Sequence, residues 1–361
     1  MIGLILLFLY WYPLRGRIAH GLNDFLSLYT GAELTGTSGQ FDPARYRELE
    51  IASTGYFSDA WVSNRLPAFM LVLRPLTRLS YQTAYSLWQA LSFAALIGFL
   101  LLWRTRERGL LVLVCCWSFP LTAAFANGQD DTFLLLWFAL ALYIAPKRPA
   151  LAGAILALGA MKFHLFILVP VALMAGRRSR MLAGFSASAA AAFGLCFVAA
   201  GRHWIGPWLQ LVFNPAVNPN PGMMPNLHGL LAGLPHADAW EAIASLLVLA
   251  AVWRLASYSN LPAGLAVALA GGILVSRHAY NADLALLIPA LWILCREFPT
   301  RPVRLLSAAL LTPVWFLLPI PGLNLPPAPL LLIALFAALT ASQAQISRSW
   351  ASARELDIAA V

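Results

Sequence analysis

The sequence predicts an all-α fold: a polytopic bundle of transmembrane helices that forms a single membrane domain over residues 1–361. The 361 residues are 60% hydrophobic and only 11% charged, with a mean hydropathy of +0.73. An ordinary soluble domain carries about 25% charged residues, and a water-soluble core could not bury so much apolar surface. The apolar residues also come in runs. Residues 84–103 contain no charged side chain, which is long enough for a helix to cross about 30 Å of hydrocarbon.

Further apolar runs follow along the chain, and several are short, as tilted, interrupted or partly interfacial helices are. They cover residues 110–126, 132–145, 150–161, 163–175, 181–200, 242–252, 261–275, 284–294, 305–319 and 327–344. With a first span over residues 1–14, we expect about twelve spans. A long first outer loop, residues 15–80, would carry juxtamembrane helices. Core spans would follow over residues 81–200, and a second outer loop with the last spans over residues 201–361.

Lysine and arginine residues orient the predicted spans, because short loops rich in these cations stay in the cytoplasm. Basic clusters recur at alternate loops, in residues 104–108, 147–148, 176–180, 254, 296–304 and 348–354. Placing them in the cytoplasm puts both termini there. It also makes residues 66–79, which contain Arg74 and Arg78, a helix on the outer membrane surface. The alternative, in which residues 66–79 cross the membrane, would place residues 104–108 outside.

Charge and cysteine content argue against several classes of protein. A net charge of +9 would suggest nucleic-acid binding in a soluble protein. Here the cytoplasmic clusters explain the charge through topology and contact with anionic lipids, so no nucleic-acid partner is predicted. The four cysteines, Cys115, Cys116, Cys196 and Cys295, lie in or beside apolar runs without metal-ligand spacing. The sequence also lacks a Gly-rich phosphate loop, and we predict neither a metal nor a cofactor.

Acidic residues concentrate on the predicted outer side. Of 15 acids, only Glu107, Glu297, Glu355 and Asp357 fall in cytoplasmic segments. Acids contribute little to topology. The bias therefore indicates polar chemistry at the outer face.

The first outer loop contains two predicted amphipathic helices, residues 23–34 and 41–50. Asn23 or Asp24 is able to cap the first helix, and Asp42 fits the cap of the second. A functional role for Asp24 is as well supported as a capping role, because Asp24 closely follows the first span and would lie near the bilayer surface.

Polar residues also interrupt the apolar runs on the outer side. Residues 127–131 (NGQDD) are typical of a tight polar turn, although Asp130 and Asp131 are also suited to a divalent cation. Lys162 and His164 lie between two apolar runs with no loop to hold them. Ionisable groups at such depth usually line a cavity or contact a charged ligand. The alternative for Lys162 is that its side chain snorkels to the outer headgroups.

Two more polar groups complete the predicted outer face. The first lies at a helix end and contains Arg277, His278, Tyr280 and Asp283. The second lies in a loop rich in proline and asparagine and contains Arg202 and His228. A lone histidine is usually structural, but histidines and arginines that converge on one face favour a binding or catalytic site.

Several segments resemble glycosyltransferase family 87, within the GT-C architecture of a first span, a long outer loop with an early acid, and a bundle of spans. The resembling segments are residues 24–29 (DFLSLY), 64–75 (NRLPAFMLVLRP), 84–88 (AYSLW), 127–129 (NGQ) and 153–162. The resemblance runs from about residue 24 to 180, with a weaker one over residues 276–289. This chain departs from the family pattern at Arg65-Leu66-Pro67, where the family has aromatic-Pro-Pro. It departs again at Asp130-Asp131, where the family has a hydrophobic residue and Asn.

The resemblance implies an inverting transfer of a sugar, mannose in that family, from a polyprenyl-phosphate donor to a lipid or glycan acceptor. The protein would be a multi-pass protein of a bacterial inner membrane, with its site on the extracytoplasmic face. Asp24 would be the general base that takes the proton of the acceptor hydroxyl. The candidates for binding the donor phosphate are Lys162, Arg202, Arg277 and His278. The candidates for substrate binding are Tyr29, Arg65, Gln129, Asp130, His164, His228 and Tyr280.

Two other functions remain open at this point. A transporter or lipid flippase would also have many spans and buried charges, although no internal repeat relates the two halves of the sequence. A catalytically inactive relative would also accommodate the altered motifs. An enzyme requires Asp24, Lys162 and either Arg277 or His278 around one outward-facing cavity, whereas a transporter requires a midplane site between repeats.

Overall fold

The computed structural model describes residues 2–57, 62–214, 221–313 and 327–359, and every regular element in these ranges is helical. The predicted outer acid Asp59 and the end of the predicted run 305–319 lie outside the described residues. The first half of the chain forms α1 Ile2–Trp11, α2 Arg15–Ala19, α3 Asp24–Leu34, α4 Pro43–Thr54, α5 Pro67–Leu73, α6 Tyr81–Leu102, α7 Arg108–Trp117, α8 Phe119–Ala126, α9 Asp131–Ile144 and α10 Pro149–Leu156.

The second half forms α11 Phe163–Phe166, α12 Val169–Ala175, α13 Ser179–Ala200, α14 Ile205–Val212, α15 Leu227–Leu231, α16 Ala237–Ser257, α17 Leu261–Val275, α18 Leu287–Glu297, α19 Arg301–Leu310 and α20 Ala328–Ala359. Short 3-10 helices cover Tyr12–Leu14, Arg74–Arg78, Ala157–Lys162, Pro221–Met223 and Asn281–Leu286. The all-α class is therefore confirmed.

Helix length and composition identify an integral membrane protein. Within the described residues, four helical stretches are long and apolar enough to span a bilayer: Tyr81–Leu102, Pro149–Phe166, Ser179–Ala200 and Ala237–Ser257. The pair α7 and α8 would add a fifth span. Shorter apolar helices are Asp131–Ile144, Leu261–Val275 and Ala328–Gln343. The count of twelve spans stays a prediction.

The apolar run 110–126 bends by 61° between α7 and α8. Ser118 leaves the helical conformation, with φ −69° and ψ 114°, and its hydroxyl accepts from Leu121 N at 3.3 Å. Pro120 follows, and proline disfavours a continuous helix because it lacks an N–H and its ring crowds the preceding turn. The run is thus two helices joined by a sharp bend, and α8 leads into the polar residues 127–131.

The centre of the bundle is α17, which is buried on all sides over Ala263–Leu274. It packs against α12, α16 and α18. By contrast, α6, α13 and α16 expose large apolar side chains, among them Leu101, Val198 and Leu247. Exposed aliphatic faces of this kind are what a helix presents to lipid, whereas the all-round burial of α17 marks it as an interior helix.

Two glycines allow α10 and α13 to cross at very short range. A Cβ at Gly153 would lie 1.8 Å from Met181 O, and a Cβ at Gly184 would lie 1.8 Å from Ala150 O. Small residues at a membrane helix crossing allow the two backbones to approach and gain van der Waals contact. The crossing fixes the start of α10, whose continuation carries Lys162.

A Gly184→Val substitution should therefore destabilise the fold severely. The new side chain would meet the α10 backbone, which cannot move away as a flexible side chain could. We expect a loss of several kcal/mol, of the order found for overpacked cores, measured as a drop in the melting temperature of detergent-solubilised protein. The matched control is Gly194→Val on the same helix, where a Cβ would meet nothing within 4 Å. Equal melting temperatures for the two variants would contradict the close crossing.

Residues 15–80, the predicted first outer loop, contain α2 to α5, and the two helices predicted there are present as α3 and α4. Amphipathic character is not confirmed for α3, because nearly all of its residues are buried. Asn23 caps α3 by accepting from Phe25 N at 3.1 Å, which leaves Asp24 as the first helical residue. Asp42 caps α4 by accepting from Ala44 N at 2.9 Å, as predicted. The stretch 66–79 divides into α5 and a 3-10 helix, and neither is long enough to be a span. Asn23 also donates to Ala126 O at 2.8 Å and so ties α3 to the end of α8.

Candidate functional site

Lys162 lies at a break in the helical chain, where its φ of −120° and ψ of 60° separate the 3-10 helix from α11. Its side chain is 1% exposed, and its Nζ contacts three carboxylates. The distances from Nζ to Oδ1 are 2.6 Å for Asp283, 2.8 Å for Asp131 and 3.2 Å for Asp130. A buried charge is tolerated when it is paired in this way. The alternative that Lys162 snorkels to the headgroups is therefore wrong.

The three acids around Lys162 come from two separate parts of the chain. Asp130 and Asp131 are fully buried where α9 begins. Asp283 lies in the 3-10 helix after α17, and its Oδ2 accepts from Tyr280 N at 2.7 Å. Asp283 comes near Lys162 because α17 packs closely against α11. The closeness is evident at Gly272 of α17, where a Cβ would lie 2.1 Å from Leu165 O of α11. The prediction of a polar turn at residues 127–131 is wrong in one respect. Asp130 and Asp131 are buried and form ion pairs with Lys162.

Arg65, which lies just before α5, connects this cluster to Asp24 at the start of α3 through Gln129. Its Nη2 donates to Asp130 Oδ1 at 2.9 Å and to Gln129 Oε1 at 3.2 Å, and its Nη1 donates to Met161 O at 3.1 Å. Gln129 Nε2 in turn donates to Asp24 Oδ2. A continuous chain of hydrogen bonds therefore runs from the buried acid Asp130 to Asp24 at the start of α3.

A cavity of about 330 Å³ lies beside this chain of hydrogen bonds, and Asp24, Arg65 and Gln129 line one wall of it. The polar and charged residues that line it include Asp24, Arg65, Asn127, Gln129, Lys162, His164, His278, Tyr280, Asn281 and Asp283. Tyr10, Trp11 and Phe119 line it as well, and the rings of Trp11 and Phe119 stack with their centroids 5.6 Å apart. A carboxylate, a guanidinium, neutral hydrogen-bonding groups and an aromatic wall thus surround a space suited to a polar ligand with apolar faces.

Burial changes the acid–base behaviour of the cavity residues that lie outside the membrane spans. Withdrawal from water raises the pKa of the Asp24 carboxyl, although the Gln129 hydrogen bond and the charges of Lys162 and Arg65 oppose the shift. Burial lowers the pKa of His278 to about 4, so its imidazole is neutral at pH 7. Burial and the charge of Asp24 raise the pKa of Tyr280 to about 12. The carboxyl of Asp24 therefore binds its proton more tightly than an exposed aspartate does, and it lies beside the neutral imidazole of His278.

Several residues singled out in the sequence lie away from this cavity. Tyr29 donates to Leu79 O at 2.9 Å within an aromatic cluster. Arg202 is exposed and contacts His203, and His228 contacts Glu241 Oε2 at 2.8 Å. Arg277 is 52% exposed and pairs with Asp238 at 2.5 Å. The expected convergence of these four residues on one site is not found. Packing holds Tyr29 elsewhere, contacts with nearby acids hold His228 and Arg277, and Arg202 is exposed beside His203.

Six other candidates, Arg65, Gln129, Lys162, His164, His278 and Tyr280, do line the cavity together with Asp24, and Asp130 lies behind its wall in contact with Arg65 and Lys162. The sequence interpretation named Asp131 only as a possible cation ligand and Asp283 only as a member of a polar group. It paired neither with Lys162, although they are its two shortest contacts. The signal for them was Lys162 itself, since a lysine between apolar runs needs buried acids as partners. The sequence does not say which acids these are.

Comparison with known families gives this geometry its context. Residues 67–319, more than half of the chain, match the family model of glycosyltransferase family 87. The chain belongs to glycosyltransferase family 87. Searches of curated proteins and of solved structures gave no match. The family 87 match contains Gln129, Lys162, His278 and Asp283, whereas Asp24 and Arg65 precede its first residue.

The family identifies the protein as a membrane glycosyltransferase, in agreement with its apolar helices. Such an enzyme needs a sugar donor and an acceptor. In this family 87 protein, one cavity brings the Asp24 carboxyl together with hydrogen-bond donors such as Arg65 and Gln129. It is therefore the candidate active site.

Proposed function

We propose that this family 87 protein transfers a sugar, mannose in the first instance, from a polyprenyl-phosphate-linked donor to a lipid or glycan acceptor, with inversion at the anomeric carbon. The observation that carries the proposal is the placement of Asp24 and Arg65 on one cavity, bridged by the amide of Gln129. We further propose a GT-C fold of about twelve spans in a bacterial inner membrane, with this cavity at the extracytoplasmic face.

The base in this proposal is Asp24. Its Oδ2 is held by Gln129, so Oδ1 is the atom that would accept the proton of the acceptor hydroxyl. As that proton leaves, the acceptor oxygen attacks the anomeric carbon and the bond from carbon to the phosphate oxygen breaks. Burial raises the pKa of this carboxyl, so its ionised form is a stronger base than an exposed aspartate, which supports the role.

The phosphate-binding part of the proposal changes from the expectation based on sequence. Arg202 and Arg277 lie outside the cavity, and the charge of Lys162 is shared among three carboxylates. Arg65 lines the cavity and makes its contacts to described residues through its two terminal nitrogens. Its Nε–H and the neutral imidazole of His278 are the groups we assign to the donor phosphate, because N–H donors offset the charge that develops on the leaving oxygen.

The test of the proposed function is the form of the donor. Protein in nanodiscs should transfer radiolabelled mannose from polyprenyl-phosphate mannose to an acceptor from a membrane extract, and should give no transfer from a nucleotide-linked mannose. The anomeric configuration of the product, read by NMR, should be opposite to that of the donor. Transfer from the nucleotide sugar alone, or retention of configuration, would contradict the proposal. Transfer of glucose in place of mannose, from the matched lipid-linked donor, would keep the reaction and change the sugar.

A further inference from the structure

We propose that Gln129 is a positioning residue: its amide holds the Asp24 carboxylate in the orientation that accepts the acceptor proton, and Arg65, anchored by Asp130, fixes that amide. The inference rests on the proposed function, in which Asp24 is the base. It adds a positioning role for Gln129, which touches the base, and a second role for Arg65, which acts on the base through Gln129.

The orientation of the Gln129 amide follows from hydrogen-bond chemistry. A guanidinium only donates hydrogen bonds, so the atom of Gln129 that faces Arg65 Nη2 at 3.2 Å must be the carbonyl oxygen. The amide nitrogen must then face Asp24, whose carboxylate only accepts. A flipped amide would oppose N–H to N–H on one side and oxygen to oxygen on the other. Arg65 itself cannot turn away without breaking its 2.9 Å contact to the fully buried Asp130.

The backbone of Gln129 is also held in place. Gly128 adopts φ +63°, and a Cβ there would lie 2.7 Å from Phe25 Cβ, so this turn presses directly on the start of α3. Trp88 Nε1 donates to Gly128 O at 2.9 Å, and Gln129 N donates to Ala124 O at 2.8 Å. The turn therefore has little freedom relative to Asp24. Because its own backbone is fixed, Gln129 can restrict the rotation of the Asp24 carboxylate.

The electrostatic consequence concerns the ionised form of Asp24. The groups that act on this carboxyl are Gln129, Lys162, Arg65 and Asp283, and Tyr280 responds to its charge. The Gln129 N–H donates to the carboxylate and favours the ionised form. Removal of that N–H should therefore raise the pKa of Asp24 further, and the carboxylate should gain rotational freedom.

Gln129→Met tests the proposal because it keeps the length of the side chain and removes the amide. We expect transfer to fall by about tenfold or more, since a small misplacement of a catalytic group is costly. The acidic limb of the pH–rate profile should move to higher pH. The Asp24 carboxyl, followed by infrared difference titration against Asp24→Asn, should titrate at higher pH as well. Gln129→Glu, which keeps an acceptor for Arg65 but puts a carboxyl beside Asp24, should move both midpoints upward too.

The matched control is Gln89→Met. Gln89 is partly buried and its Nε2 donates to Tyr85 Oη at 2.7 Å and to Phe125 O at 2.9 Å, but it does not line the cavity. This variant should keep both midpoints at the wild-type values. Unchanged infrared midpoints in both Gln129 variants would overturn the positioning role, whatever the transfer rate. A shifted infrared midpoint with an unshifted kinetic limb would also overturn it. If the wild type transfers no sugar, the proposed function fails, while the infrared titration still decides whether Gln129 holds Asp24.

Discussion

An Asp24→Asn variant should fold like the wild type and lose sugar transfer by about a hundredfold or more, the usual contribution of a general base. The substitution conserves shape, and the new amide oxygen is still able to accept from Gln129 Nε2. Asp24 is also preceded by the residue that caps α3, so its replacement leaves the cap intact. What is lost is the carboxylate that would take the acceptor proton. The measurement is the initial rate of transfer in nanodiscs, normalised to the amount of folded protein.

The same assay has a pH dependence with a definite sign. Transfer needs ionised Asp24, so the rate should fall as pH decreases through its pKa. Burial raises that pKa, so the fall in rate should occur at a pH above the ordinary aspartate pKa of ~3.9. The control is Arg296→Gln, which removes the exposed ion pair with Glu107 outside the cavity and should keep the rate within about twofold, since exposed pairs contribute little. A wild-type rate in Asp24→Asn would remove Asp24 from the mechanism.

Lys162→Met should have the largest effect on stability. The substitution leaves Asp131 and Asp283 buried without the cation they share, while Asp130 keeps Arg65. Removing one partner of a buried ion pair typically costs about 3–5 kcal/mol, and here the lost partner serves more than one acid. We expect a large drop in melting temperature in detergent. The double variant with Asp131→Asn should recover part of that drop.

The control for Lys162 is Lys147→Met, the same substitution at an exposed lysine between α9 and α10. Its melting temperature should stay close to the wild-type value. A Lys162→Met variant as stable as Lys147→Met would mean that the acids do not depend on the lysine. In that case the cluster would not be the element that holds the cavity wall together.

The sequence predicted the features that depend on neighbouring residues. Hydropathy is a local property, and the all-α membrane class followed from it. The Asp42 cap was also predicted, because a cap and the helix it begins are adjacent in sequence. The family resemblance, based on the order of short segments, agrees with the family 87 match.

The sequence could not predict which distant residues pair. Lys162 meets an acid 31 positions before it and another 121 positions after it, and no local pattern encodes such a choice. Arg277 and His278 are neighbours in sequence, yet His278 lines the cavity and Arg277 is exposed at its ion pair with Asp238. Side chains of adjacent residues at a helix end point in different directions. The sequence interpretation assigned both residues to the donor phosphate because they are adjacent, and that assignment does not hold for Arg277.

The order in which the buried cluster is synthesised has a consequence for how the protein is made. Arg65, Asp130, Asp131 and Lys162 all precede the end of α13, and together they carry two positive and two negative charges. The first part of the chain can therefore leave the ribosome with a neutral set of polar groups, which limits the cost of placing them in lipid. Asp283 arrives more than a hundred residues later and brings a negative charge to a set already balanced. Residues 278–283, which line one side of the cavity, therefore join the bundle late, and the cavity is complete only after they have been added.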